Sequence, residues 1–258
     1  MAEASNKPIQ SAKDSAQQAA KAEVTSTPAR RYRTYLFMIG LIAVVGAFTT
    51  LTILVKTTPS FPIDLAITRA IQSITWPPFA ALMDLISWPG FPPQSFILSL
   101  LIIVILYAFG FHWEAVATLF DGFFTALVNF IVKDYIRRPR PGIDLVHVFK
   151  VLNSYSFPSG HVMYYVGFFG FLWFLAYTLL KRSWLRTLIL IVLGLLIVLV
   201  GVSRVYLGQH WPSDVLGAYL LGTLCLVIAI LFYRWGKTRF FVHQPVAPEK
   251  PKTPTTQG

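Results

Sequence analysis

Two histidines and a set of cations carry the chemistry available to this sequence. The stretch Ser203-Arg204-Val-Tyr-Leu-Gly-Gln-His210-Trp-Pro-Ser-Asp214 places an arginine, a histidine and an aspartate close together. Asp214 follows His210 at the spacing of one helical turn, where a carboxylate can orient an imidazole and leave its other nitrogen free to attack. A second histidine, His161, closes Phe157-Pro158-Ser159-Gly160-His161, in which Ser159 and Gly160 open a helix. Backbone N–H groups and the dipole at such a helix start favour an anion. A third stretch, Lys133-Asp-Tyr-Ile-Arg137-Arg138-Pro139-Arg140-Pro141, supplies cations, and Lys133 and Arg140 can share a helix face. Arginine forks grip phosphate oxygens in pairs. The cations of these stretches and the helix start at Ser159-Gly160 can therefore surround a phosphate while the two histidines divide the transfer of a phosphoryl group. His210 attacks phosphorus, Asp214 orients it, and His161 protonates the leaving oxygen. No cluster of carboxylates, histidines or cysteines has metal-ligand spacing, so the protein's own cations take the electrostatic role and no metal or cofactor is expected. Arg137 and Arg138 read as a solvated or headgroup-contacting basic edge.

The elements that must position these residues are hydrophobic. The chain has 258 residues, 55% hydrophobic and 13% charged, where a soluble domain carries about a quarter charged residues. Six apolar segments, about 35–55, 91–111, 115–135, 161–180, 186–203 and 214–234, approach the ~20 residues a helix needs to cross a bilayer. The sequence predicts an all-α integral membrane protein with six transmembrane helices over 30–239. Disordered cytoplasmic tails are expected over 1–29 and 240–258. Between the first two spans, Ile63, Ile67, Ile71 and Ile74 repeat at helical spacing opposite Asp64, Arg69 and Gln72. This predicts a short amphipathic helix, either lying in the interface or packed over the mouth of the bundle, with Trp76 and Trp88 at headgroup level. Asp121, inside the third span, is a functional candidate as a buried carboxylate, and the reading preferred is that it only hydrogen-bonds a neighbouring helix near the cytoplasmic boundary. Trp211 either lines the phosphate pocket or anchors the interface.

Counting spans brings the three motifs together. The end of span three, the start of span four, the end of span five and the start of span six all fall on one membrane face. The N-terminal tail, the 181–186 turn and the C-terminal tail hold 14 of the 22 Lys and Arg, and the opposite face holds 8. The positive-inside rule makes the richer side cytoplasmic. The motifs, and with them the site, then lie on the extracytoplasmic side of the cytoplasmic membrane, with both termini inside. The net charge of +11 is accounted for by this topology, and the expected partner is a membrane lipid phosphate in the bilayer rather than a nucleic acid. Cys225, the lone cysteine, lies in an apolar run, so no disulfide forms within the chain.

Lys133-x6-Arg140-Pro141, Pro158-Ser159-Gly160-His161 and Ser203-Arg204-x5-His210-x3-Asp214 resemble, in order, the three signature motifs of the type 2 phosphatidic acid phosphatase superfamily. The resemblance covers roughly 60–235. It implies that superfamily's helical core, shared with haloperoxidases. It also implies a metal-independent lipid phosphatase forming a phosphohistidine at His210, with phosphate held by Lys133, Arg140, Ser159, Gly160 and Arg204. Phosphatidic acid, phosphatidylglycerophosphate and polyprenyl diphosphates such as undecaprenyl diphosphate are the substrates it brings into view. Rival readings are a lipid-to-lipid phosphotransferase using the same intermediate and a lipid-binding or transport protein without catalysis. A vanadate-dependent haloperoxidase would share the motifs but not the six apolar spans.

Overall fold

The computed structural model describes residues 28–58 and 60–241, and these contain helices and loops but no strand. Apart from positions 28–29 and 240–241, the two expected tails lie outside the described residues. In chain order the helices are α1 (Pro28–Thr57), α2 (Pro62–Gln72), α3 (Pro77–Ser87), α4 (Gln94–Ala108), α5 (His112–Ile136), α6 (Gly160–Leu179), α7 (Trp184–Tyr206) and α8 (Pro212–Phe241). The chain divides into two compact units, up to Ala47 and from Phe48 onward, and every contact described below lies in the second.

Among the described residues five helices, α1 and α5 to α8, are long and apolar enough to cross a membrane. The expected second span is broken. Its helix, α4, has 15 residues, short of the ~20 required, and the segment before it, Pro77–Gly90, meets it at a bend of 58°. Pro92 and Pro93 stand at the break, where they lack the N–H groups that would continue the helical ladder. Six spans result only when this bent pair is taken as one.

α6, α7 and α8 form the centre, with α3 and α5 packed on them, and Val162, Phe168, Val200, Ala218 and Leu221 fill the space between. Outward residues such as Phe96, Ile97 and Leu100 on α4 are exposed and apolar. In lipid such exposure costs nothing, so helix association depends on close packing and on polar contacts inside. α2 shows this inversion. Its polar residues Asp64 and Thr68 are 1% and 0% exposed, whereas Ile63 is 63% exposed. The amphipathic helix therefore turns Asp64 and Thr68 onto the bundle mouth and Ile63 and Ile67 outward, while Ile71 packs against the core. Trp76 and Trp88 remain exposed beside it. α6 contains one π-helical turn, Tyr165–Phe169, the kind of local widening that recurs near functional sites. There Gly167 lets Thr125 of α5 come close; a side chain at 167 would lie 2.9 Å from its Oγ1.

Candidate active site

Three chain reversals at one end of the bundle build the site. α5 ends where Arg137 takes a left-handed conformation (φ 54°), its N–H bonded to the Lys133 carbonyl. That conformation costs a non-glycine residue about 1 kcal/mol. It turns the chain so that Arg137 stays outside, paired with Asp134, while Arg138 enters the interior. The turn after α7 closes at Gly208, whose φ of 67° and close approach to the His147 carbonyl exclude a side chain. The turn carries Gln209 and His210 across the bundle mouth to α8. α6 begins at Gly160, with Ser159 at its N-cap. The ring of His161 lies against Gly90, edge-on to Phe91 at 4.4 Å.

His210 is 1% exposed. Its Nε2 lies 3.2 Å from Nη1 of Arg140. A guanidinium only donates, so Nε2 must carry the lone pair and the proton sits on Nδ1. Nδ1 faces the Ser156 hydroxyl at 3.5 Å and Oδ2 of Asp214 at 3.7 Å. Asp214 is thus near His210 without a direct hydrogen bond, and Ser156, which donates to Asp214, sits beside both. Burial, followed by the charges of Arg140, Lys133 and Arg204, holds the His210 pKa well below the ordinary imidazole value; the Ser156 main chain pulls the other way. The imidazole is therefore neutral near pH 7. Burial also lowers Arg140, opposed by Asp214, to about 10, which leaves it charged at that pH.

The cations converge without carboxylate partners. Lys133 donates to the carbonyls of Tyr155 and Pro158 at 2.8 and 2.9 Å. Arg140 donates to the carbonyls of Ser154, Tyr155 and Gln209. Arg204, wholly buried, gives one bond to Ser87 at 2.7 Å and packs over Phe91. Among the described residues none of the three forms an ion pair. Nε and Nη2 of Arg204, Oγ of Ser159, Nε2 of His161 and Nε1 of Trp211 are buried with no hydrogen-bond partner. Uncompensated charge and unmet donors cost several kcal/mol when buried, and an anion accepting from them removes that cost. From Gly160 and Gly90 at this end, a cavity of about 430 Å³ runs between α4, α5 and α6, past Asn129, Tyr164 and Thr125 to Thr118 and Ile103.

The structure thus brings together His210, Asp214, His161, Lys133, Arg140, Ser159, Gly160 and Arg204. Four neighbours were not anticipated. Arg138, read in the sequence as a solvated edge, is 2% exposed and bridges Asp214 (2.6 Å) and Asp64 (2.9 Å). Asp64, Ser156 and Ser213 complete that network. The pairing of Arg138 with Pro139 just before the Arg140-Pro141 motif was the only local signal for it. Asp121 departs from expectation: its one hydrogen bond among the described residues is to Thr125 of its own helix, and Oδ2 has no partner. Trp211 is 2% exposed and so is no interfacial anchor.

Known proteins resemble this chain in sequence and in fold. The model of the PAP2 superfamily matches residues 112–239. Phosphatidylglycerophosphatase B of Bacillus subtilis is 36% identical over 168 residues, 62% of this chain and 78% of that protein. An undecaprenyl-diphosphatase of Sulfolobus acidocaldarius is 37% identical over 98 residues, 37% of this chain and 36% of its own length. Among solved structures, the transmembrane PAP2-type phosphatidylglycerolphosphate phosphatase from Bacillus subtilis superposes with a TM-score of 0.68 at 29% identity, over 78% of this chain and 98% of that one. The chain belongs to the PAP2 superfamily and is a multi-pass membrane phosphatase, a hydrolase of phosphoester bonds.

Proposed function

We propose that this protein hydrolyses the phosphomonoester or diphosphate of a membrane lipid through a phosphohistidine at His210, on the extracytoplasmic face of the cytoplasmic membrane. The gathering of Lys133, Arg140 and Arg204 around His210, with Arg140 at 3.2 Å from Nε2 and none of the three paired with a carboxylate among the described residues, carries this reading. Nε2 attacks phosphorus and the bond to the leaving oxygen breaks. His161, protonated once the phosphate anion is bound beside it, gives that oxygen its proton. Water then attacks the phosphohistidine and returns a proton to His161; the P–N bond breaks and inorganic phosphate leaves. The cations, with Ser159 Oγ and the first N–H groups of α6, neutralise the equatorial oxygens throughout.

The cavity leading from Gly160 between α4 and α5 supports a lipid substrate, because it gives an apolar tail a path from the bilayer to the phosphate pocket. The relatives named for phosphatidylglycerophosphate and undecaprenyl diphosphate support those two lipids, with phosphatidic acid as the simplest phosphomonoester of the class. The side of the membrane rests on the distribution of 14 against 8 basic residues. The test is phosphate release by the purified protein from these three lipids in mixed micelles. Release from at least one, undiminished by a chelator, is expected. Failure on all three, or loss to the chelator with recovery on adding magnesium, contradicts the reading.

A further inference from the structure

We infer that Arg138 and Asp64 are positioning residues for phosphoryl transfer, acting on His210 through Asp214; the inference rests on His210 being the nucleophile. Arg138 holds Oδ1 of Asp214 with Nη1 at 2.6 Å and Oδ2 of Asp64 with Nη2 at 2.9 Å. Nη1 also donates to Ser213 Oγ at 2.7 Å. Asp64 in turn accepts from the main chain of Ser213 at 2.9 Å and from its hydroxyl. A carboxylate on α2 therefore caps the N-terminus of α8. Asp214 closes the same end from within, accepting from the N–H of Trp211 at 2.8 Å, three residues before it. All three charged side chains are buried, at 2% exposure or less.

The charge count gives this arrangement its consequence. Asp64, Arg138 and Asp214 together carry one net negative charge beside Nδ1 of His210. As Nε2 bonds to phosphorus the ring becomes cationic, and that charge stabilises it. A neutral residue at 64 leaves Arg138 to cancel Asp214 alone, and the stabilisation falls away. A neutral residue at 138 removes the donor that Oδ1 of Asp214 and Oδ2 of Asp64 share, and with it the link from α2 to Asp214. Neither Arg138 nor Asp64 is among the residues whose unmet donors face the phosphate pocket. Both should therefore act on turnover and leave phosphate affinity alone.

The experiment compares wild type, Asp64→Asn and Arg138→Ala, full-length in micelles, on the lipid phosphate the wild type hydrolyses best. Vanadate serves as the phosphate stand-in for affinity. Asp64→Asn is expected to lower kcat roughly 10–100-fold, with KM and the vanadate Ki changed by less than about twofold. Arg138→Ala is expected to lose more and to regain part of its kcat on adding guanidinium chloride at millimolar concentration. Wild-type kcat in Asp64→Asn, or a loss carried by KM and vanadate affinity, overturns the inference. Should Asp64→Asn not yield folded protein, the guanidinium arm decides: rescue supports positioning and no rescue refutes it. A wild type that hydrolyses no lipid phosphate refutes the functional reading itself and is thereby told apart from these outcomes.

Discussion

α5 and α8 meet at both ends, and the two ends treat charge in opposite ways. Where α5 begins and α8 finishes, Glu114 accepts from Lys237 at 2.7 Å and from the Tyr233 hydroxyl at 3.0 Å. One carboxylate meets one ammonium, and Trp113 ties its indole to the α8 main chain. Where α5 finishes and α8 begins, Lys133, Arg140 and Arg204 crowd together, and the nearby carboxylate, Asp214, is taken by Arg138. The first end is a closed staple. The second is held open, its donors bonded to carbonyls, to the hydroxyls of Ser87 and Ser154, to Nε2 of His210 or, among the described residues, to nothing. In a protein that must satisfy polar groups internally, an unbalanced end is explained by a charged ligand that completes it.

Substitutions at the two ends should therefore separate function from stability. The largest effect is expected from His210→Ala, which removes the attacking nitrogen and should lower phosphate release by at least roughly a thousandfold in a steady-state assay. Arg204→Ala removes one charged fork from the pocket and should cost about a hundredfold in kcat/KM, with weaker vanadate inhibition. Glu114→Gln, at the closed end, should leave kcat within about twofold and lower stability by roughly 1 kcal/mol, a modest figure because Lys237 is partly solvent-accessible and its pair is screened. If Glu114→Gln impaired turnover as Arg204→Ala does, the contrast between the ends would be lost.

The acid side of the pH profile sharpens the same contrast. In the proposed mechanism the neutral imidazole of His210 attacks, and its pKa lies well below 6.5 through burial and then the surrounding cations. Activity should thus persist as pH falls through the ordinary histidine range and decline only below it. Lys133→Met removes one of those cations, so its acid limb should move to higher pH than that of the wild type. Because both proteins act on one substrate, the substrate's own titration cancels in the comparison. A limb at unchanged pH would separate Lys133 from His210. Smallest of all, Arg137→Gly should relieve the left-handed conformation at the end of α5 and stabilise the protein by about 1 kcal/mol without changing kcat.

The juxtaposition of the motif residues was legible, because span parity alone sends the three motifs to one face. The supporting network was not. Arg137 and Arg138 are adjacent and chemically identical, and only the left-handed turn between α5 and Pro139 decides that one faces solvent and the other the core. The partner of Arg138, Asp64, is 74 residues away, on a helix whose amphipathic pattern gives a polar axis without saying which face is inside. In lipid the answer is the reverse of the soluble habit. Ser156 lies in a loop with no periodicity, so nothing in the sequence marked it as the neighbour of both Asp214 and His210. The break of the second span at Pro92-Pro93 was readable in principle, since paired prolines at the start of an apolar run rarely sit inside one straight helix.

The most direct test is to trap the intermediate. The purified protein is mixed with a lipid substrate carrying radiolabelled phosphate, quenched within milliseconds in alkaline denaturant and digested. The label should be acid-labile, alkali-stable and confined to the peptide bearing His210. It should be missing in His210→Ala, which should also release no phosphate. Phosphate release by His210→Ala at the wild-type rate, or label on a peptide without His210, would contradict the assignment.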